Sequence, residues 1–256
     1  MRQSETDILK HADRYLHNVA VDNVIFGYHD KALKVLLQQP KNLDKWTVTG
    51  GYIERGESIE QAATRVAVLR TGLEDLFLQQ FRSFGNPTRI LDPSFNPESI
   101  LKLTGVDIPK NFWIFDYFVS IGFYTLTEFS KVEIQMGPFD KSCQWWPVSE
   151  LPPLMFDHNM IILEALKSIR LHIAHSPIGY ELLPEKFTLP EIYNLYITIL
   201  GKPLDERNFS KRLLAAGIIV KLDERRKIGA HRSPFLYKFD KQKYDECLKT
   251  GVQLAF

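Results

Sequence analysis

Cysteine is scarce in this chain. Cys143 and Cys247 are the only two, about a hundred residues apart and in no Cys-x-x-Cys spacing, which excludes a disulfide framework and a structural zinc site of the usual kind. Both read as reduced thiols. No run approaches the roughly 18 uninterrupted apolar residues of a membrane helix. The opening MRQSETDILKHADR lacks the apolar block of a signal peptide. The expectation is a cytoplasmic protein with no membrane partner. Internal repeats and low-complexity tracts are missing too. What remains is 45% apolar and 12% aromatic, the balance of a globular chain with a sizeable core. Its 256 residues suit one large domain or two small ones, and two is the expectation.

The net charge of +1 points by itself to no polyanionic partner, but the charge is unevenly spread. Residues 200–243 carry 12 Lys/Arg against 5 Asp/Glu, a surplus of +7, and the last 13 residues carry −1, leaving −5 on residues 1–199. An acidic body precedes a basic segment.

Along the body, VAVDNVIFGYHDKALKVLLQQP reads as two strands around a polar turn at His29-Asp30-Lys31. After Gly50-Gly51, Ser58 can cap a helix over 58–71 that Gly72 stops. Further strands are expected at 77–84, 112–124 and 143–148, and a helix from Asp157, with Asp157 as its cap and His158 in its first turn. Trp145-Trp146 reads as a strand end between core and rim. Residues 85–110, with four prolines, read as a long excursion over the surface. The fold class expected is α/β or α+β, with a break near Ser176-Pro177-Ile178-Gly179 that divides residues 1–176 from 177–256.

Beyond that break, Thr188, Pro190 and Gly201 bound one helix, and Asp205 and Gly217 bound a second, with Phe209 and Leu213 on its apolar side. Two helices about a short turn, followed by a strand, a basic loop and a strand, describe a winged helix-turn-helix domain. Arg207, Asn208, Lys211 and Arg212 fall opposite Phe209 and Leu213. Arg and Asn suit base edges in the major groove, and Lys suits phosphate. The hairpin adds Arg225, Arg226, Lys227, His231 and Arg232 as groups for the duplex backbone or minor groove. The partner expected is double-stranded DNA. A protein-docking adaptor is the competing use of such a domain, and steep salt dependence separates the two.

The segment GYIERGESIEQAATRVAVLRTGL, from Gly51 to Leu73, resembles the Nudix signature: Gly, five residues, Glu, seven residues, then Arg-Glu-apolar-any-Glu-Glu-any-Gly-apolar. Gly51, Glu57, Arg65, Gly72 and Leu73 stand at their places. At the positions of the three metal-binding glutamates stand Val66, Leu69 and Arg70. Divalent-metal chemistry on a diphosphate needs clustered carboxylates, so no metal, cofactor or catalytic residue is expected. Glu57 and Arg65 read as a structural ion pair. A pyrophosphohydrolase with a substitute metal site is the alternative reading; Glu54 and Glu60 could form one, though nothing in their spacing singles them out.

With Phe156-Asp157-His158, the linker from Pro177, DERNFSKRL from Asp205 and the ending Leu236-Tyr237-Lys238-Phe239, the chain is similar over nearly its full length to the NrtR-like family of Nudix-related transcriptional regulators. The resemblance implies a Nudix-type mixed sheet between helices, then a winged helix. It further implies a homodimer on DNA and a sensor domain that binds either an ADP-ribose-type nucleotide or, in a sugar-responsive branch, a pentose of carbohydrate metabolism. A symmetric dimer implies a palindromic operator. By the same resemblance, Trp46, Gly50 and Gly51 are the effector-binding candidates. The connection over 85–110 is longer than the family's usual one.

Overall fold

Asp30 and Lys31 both hold positive φ, 52° and 59°, the backbone of a tight hairpin turn. They join the two longest strands of the computed structural model, which describes residues 7–226, 233–251 and 254. In chain order these residues form α1 (Asp7–Lys10), β1 (Tyr15–His29), β2 (Ala32–Pro40), β3 (Thr49–Glu54), α2 (Ile59–Thr71), β4 (Gln79–Phe84), α3 (Pro97–Thr104), β5 (Val119–Glu128), β6 (Asp140–Pro147) and α4 (His158–His172). There follow α5 (Leu189–Leu200), α6 (Glu206–Ala215), β7 (Ile219–Arg225), β8 (Phe235–Phe239) and α7 (Lys241–Thr250). The backbone divides into two compact units. One comprises the chain up to Gly27 with Lys34–Ala165, and the other Tyr28–Leu33 with the chain from Leu166. That division falls inside α4, before the Pro177 break expected from the sequence.

The first unit holds a six-stranded sheet in the order β4-β5-β1-β2-β6, with β3 paired antiparallel to β1. Ala62, Ala63 and Val66 of α2 pack on Val21, Ile53, Ile121 and Phe123. Ala67 meets Ile25, Leu36 and Cys143. The small residues let helix and sheet approach closely. Burying the Val66 side chain contributes on the order of 2 kcal/mol.

Three expectations are corrected in this unit. Residues 85–110 are not a bare surface loop: Asn96 and Ser99 form a reciprocal capping box for α3, and Ile100, Ile108 and Ile114 make a small core of their own. Prolines excluded a strand there, but Pro97 sits in the first turn of a helix, where its missing N–H costs nothing. The strand expected from residue 112 begins only at Val119, because Trp113–Phe115 close a short 3-10 turn. The strand expected at 77–84 likewise begins at Gln79.

In the second unit, α5 and α6 bury Ile192, Leu195, Tyr196 and Ile199 with Phe209 and Leu213. The Tyr196 ring meets Phe209 edge-on at 5.0 Å, and its hydroxyl accepts the Ile178 N–H at 3.1 Å. β7 and β8 pair antiparallel, and Phe187 bridges to Tyr237 as a further rung. The helix α7 was not expected. It buries Tyr244 and Cys247, and the Tyr244 hydroxyl donates to the Pro177 carbonyl at 2.8 Å.

Candidate functional site

The Gly51–Leu73 box is built as its residues predict. The Ser58 hydroxyl oxygen accepts the Gln61 backbone N–H at 3.2 Å while Gln61 Oε1 accepts the Ser58 backbone N–H at 2.7 Å, and Gly72 closes α2 at φ 69°. Those reciprocal bonds satisfy two donors that the helix start otherwise leaves bare. Arg65 donates through Nε and Nη2 to the two Glu57 oxygens at 3.0 and 2.6 Å, and through Nη2 to the Tyr52 carbonyl at 2.9 Å. Burial raises the Glu57 carboxyl, but Arg65 and the Glu54 backbone outweigh it and hold the group below its usual range.

The three positions that differ from the metal pattern have other uses. Val66 is in the core, Leu69 is exposed, and Arg70 pairs with Asp140 at 3.0 Å. Glu54 stands between Arg14 at 3.6 Å and Arg65 at 3.7 Å. Glu60 accepts the Ser58 hydroxyl. Among the described residues no group of three or more His, Cys, Asp or Glu is placed to hold a metal ion. The divalent ion that Nudix chemistry calls for therefore has no fitting ligand set among the described residues, because Glu54 and Glu57 are turned toward arginines and Glu60 toward Ser58.

Of the expected effector residues, Trp46 is buried, edge-on to Trp146 at 5.2 Å, with its backbone N–H donated to the Pro153 carbonyl. Trp146 is half-buried at the end of β6, as expected of a core-and-rim position. A Cβ on Gly50 would lie 2.6 Å from Asp22 Oδ1. None of Trp46, Gly50 and Gly51 lines a hollow of about 740 Å³ in the first unit. That cavity is walled instead by the end of β4, the arm from Gly85 to Pro93, Lys45, and the residues leading into α4.

Its floor is a buried charge network. The fully buried Arg89 side chain donates through Nε and Nη2 to Asp157 at 3.1 and 2.8 Å, reaches Asp22 at 3.4 Å, and lies 4.6 Å over the Phe118 ring. Ser120 donates its hydroxyl to Asp22. His158 Nδ1 accepts the Val48 N–H at 3.3 Å, so its Nε2 proton faces Asp22 Oδ1 at 3.8 Å. Burial holds the His158 imidazole below its ordinary pKa, against the pull of Asp22 and Asp157. Asp92 takes Lys45 at 2.8 Å and the Ser94 N–H and hydroxyl at 3.0 and 2.6 Å. Burial raises its carboxyl, but these donors outweigh it and bring it down to about 2. The sequence named Asp157 only as a helix cap; its carboxylate is given to Arg89. Arg89, Asp92 and Asp22 were missed, since partners 47 to 98 residues apart leave no periodic signal.

In the second unit, Arg207, Asn208 and Lys211 are exposed on α6, opposite the buried Phe209 and Leu213. Asp205 caps the helix by accepting the Asn208 N–H at 2.7 Å. Arg212 is half-buried and donates Nε to Asn208 Oδ1 at 3.2 Å, tying the two side chains together. The wing arginines are placed differently. Arg225 lies 3.7 Å over the Phe235 ring and donates to the Ser233 carbonyl at 2.9 Å. Arg226 is turned inward to Glu191, whose carboxylate also accepts the Thr188 N–H, and to the Lys186 carbonyl at 2.9 Å. Lys227, His231 and Arg232 lie outside the described residues.

Residues 179–239 match the family model described as the NrtR DNA-binding winged helix domain. A curated relative, the ADPR responsive transcriptional repressor NtrR of Acinetobacter baylyi, is 26% identical over 89% of this chain and 84% of its own length. An ADP-ribose pyrophosphatase of Methanocaldococcus jannaschii is 29% identical over 62% of this chain and 79% of its own. Among solved structures, Shewanella oneidensis NrtR in complex with a 27mer DNA superposes with a TM-score of 0.69 at 27% identity, covering 89% of this chain and 95% of that one. A MutT/nudix family protein of Enterococcus faecalis shares the fold, with a TM-score of 0.62 at 21% identity over 93% and 95% of the two chains.

Proposed function

We propose that this chain, whose residues 179–239 match the NrtR winged-helix model and which is similar over most of its length to NrtR-type regulators, is a repressor whose residues 1–176 sense a small metabolite and whose residues 177–256 bind an operator. The observation that carries this reading is the pairing of a Nudix fold without a metal ligand set with an exposed polar face on α6. Val66 in the core and Arg70 on Asp140 favour binding without turnover. Arg207, Asn208, Lys211 and Arg212 are the groups assigned to the major groove, with Asp205 fixing the helix start.

The effector assigned is an ADP-ribose-type nucleotide, by analogy with the Acinetobacter repressor named for that response. A pentose is the second candidate. The working form is a homodimer on a palindromic site, since one recognition helix per half-site reads only a few base pairs. Selection from a random duplex pool, repeated with ADP-ribose and with L-arabinose, tests the proposal. Enrichment of an inverted repeat that one compound abolishes is the expected result. Failure to enrich any duplex at moderate salt would contradict it.

A pyrophosphohydrolase is the second reading, favoured by the similarity to the Methanocaldococcus enzyme. It requires magnesium-dependent release of AMP from ADP-ribose.

A further inference from the structure

We propose that Arg212 makes Asn208 a donor-only reader of the major groove, so that the base Asn208 selects is guanine and not adenine. This deepens the reading of the second domain as an operator-binding unit and rests on it.

One hydrogen bond decides the matter. Arg212 Nε donates to Asn208 Oδ1 at 3.2 Å from one turn further along α6. A guanidinium nitrogen can only donate, so the end of the Asn208 amide that faces it is the oxygen. The amide nitrogen is the other end, and it makes no hydrogen bond to a described residue. The base of this arrangement is held as well. Asp205 accepts the Asn208 backbone N–H at 2.7 Å, Phe209 and Leu213 are buried on the opposite side of the helix, and Arg212 is itself half-buried.

An asparagine with both ends of its amide open matches adenine, accepting from N6–H while donating to N7. In this helix the oxygen is already occupied. The adenine amino group would meet a second donor where it needs an acceptor. Guanine instead offers two acceptors on the same edge, O6 and N7, and the Asn208 amide nitrogen can donate to either without disturbing Arg212. Cytosine presents only a donor there, and thymine a single acceptor beside its methyl group. The neighbouring side chains share the same polarity. Arg207 and Lys211, four residues apart and exposed on α6, carry donors only. The exposed Glu206 is two residues before Asn208, about 200° around the helix and so on its far side. Arg212 thus acts as a positioning residue, through the amide it orients.

The test begins with selection from a random duplex pool by the full chain. Each guanine of one selected half-site is then changed to adenine, with its pairing partner, and the duplexes are titrated with wild type, Asn208→Ala and Arg212→Met. The thermal midpoint of each variant checks its fold. Wild type should lose about tenfold in affinity at one such change, the scale of a good base-edge contact. At that position Asn208→Ala should bind both duplexes alike. Arg212→Met, whose released amide oxygen can accept from adenine N6, should prefer the adenine duplex. An Arg212 that served only the fold or the net charge would lower affinity for both duplexes equally. Asn208 is exposed, so its comparison stands even where Arg212→Met is unstable.

The proposal is overturned if no guanine is read through Asn208, if wild type prefers adenine at the position that Asn208→Ala leaves indifferent, or if folded Arg212→Met keeps the guanine preference. Each of these results, with a duplex enriched, removes this proposal alone. Selection that enriches no duplex removes the regulator reading and this proposal with it.

Discussion

Val66 Cγ2 occupies the space where a side chain on Gly51 would begin: a Cβ built on Gly51 would lie 2.6 Å from it. The glycine that opens the box and the residue at its first lost glutamate position are thus fitted to each other. Val66 is part of the wall between α2 and the sheet, which is why this position serves packing.

Gly51→Ala should therefore destabilise the first domain by about 1–3 kcal/mol, the usual cost of overpacking. Adding Val66→Ala should recover part of that loss, because the clash is removed even as apolar contact is given up. Thermal or urea unfolding of the two variants and the double variant checks it. An additive double variant would show that the two residues do not collide.

Asp92 ties the 85–110 arm to Lys45, and its carboxyl lies at about 2, below the ordinary 3.8. Because the folded value is the lower one, its stabilisation is present above about pH 4 and is lost as pH falls toward 2. The full difference is on the order of 2 kcal/mol. Asp92→Asn should be less stable than wild type at neutral pH, and the gap should close with acid. A constant gap from pH 6 to pH 3 would contradict the assignment.

On the second domain the structure separates residues that the sequence grouped. Asn208→Ala and Arg212→Ala should each weaken operator binding by about 1–3 kcal/mol while leaving stability nearly unchanged. Arg226→Ala should instead lower the unfolding midpoint, since its guanidinium holds Glu191 and the Lys186 carbonyl. Duplex titration and thermal unfolding on the same three variants tell these roles apart. An Arg226 variant with normal stability and weak DNA binding would return that residue to the interface.

Duplex affinity should also fall linearly in logarithm with log salt, as phosphate contacts by the proposed interface residues such as Lys211 require. A flat response would favour the adaptor use of the winged helix.

Where signals are local, the sequence was a good guide. Ser58 and Gly72 bound α2, Asp205 bounds α6, and the Glu57–Arg65 pair is one turn of loop and two of helix apart, so neighbouring residues carry the information. The cavity network was not legible for the opposite reason. Arg89 meets Asp157 across 68 residues, from a segment whose prolines hid both a helix and a small core. Trp46, Gly50 and Gly51 were favoured for the effector because of their place beside the box; Trp46 is buried there, whereas Gly50 is exposed and Gly51 half-buried. The wing was read as one basic run, but Arg226 is paired with Glu191, which caps α5.

The most direct test of the account follows two signals in one sample: full-length protein, a selected operator duplex, magnesium and ADP-ribose. The account predicts that ADP-ribose changes the fraction of duplex bound while remaining intact. Steady appearance of AMP with no change in the bound fraction would contradict it.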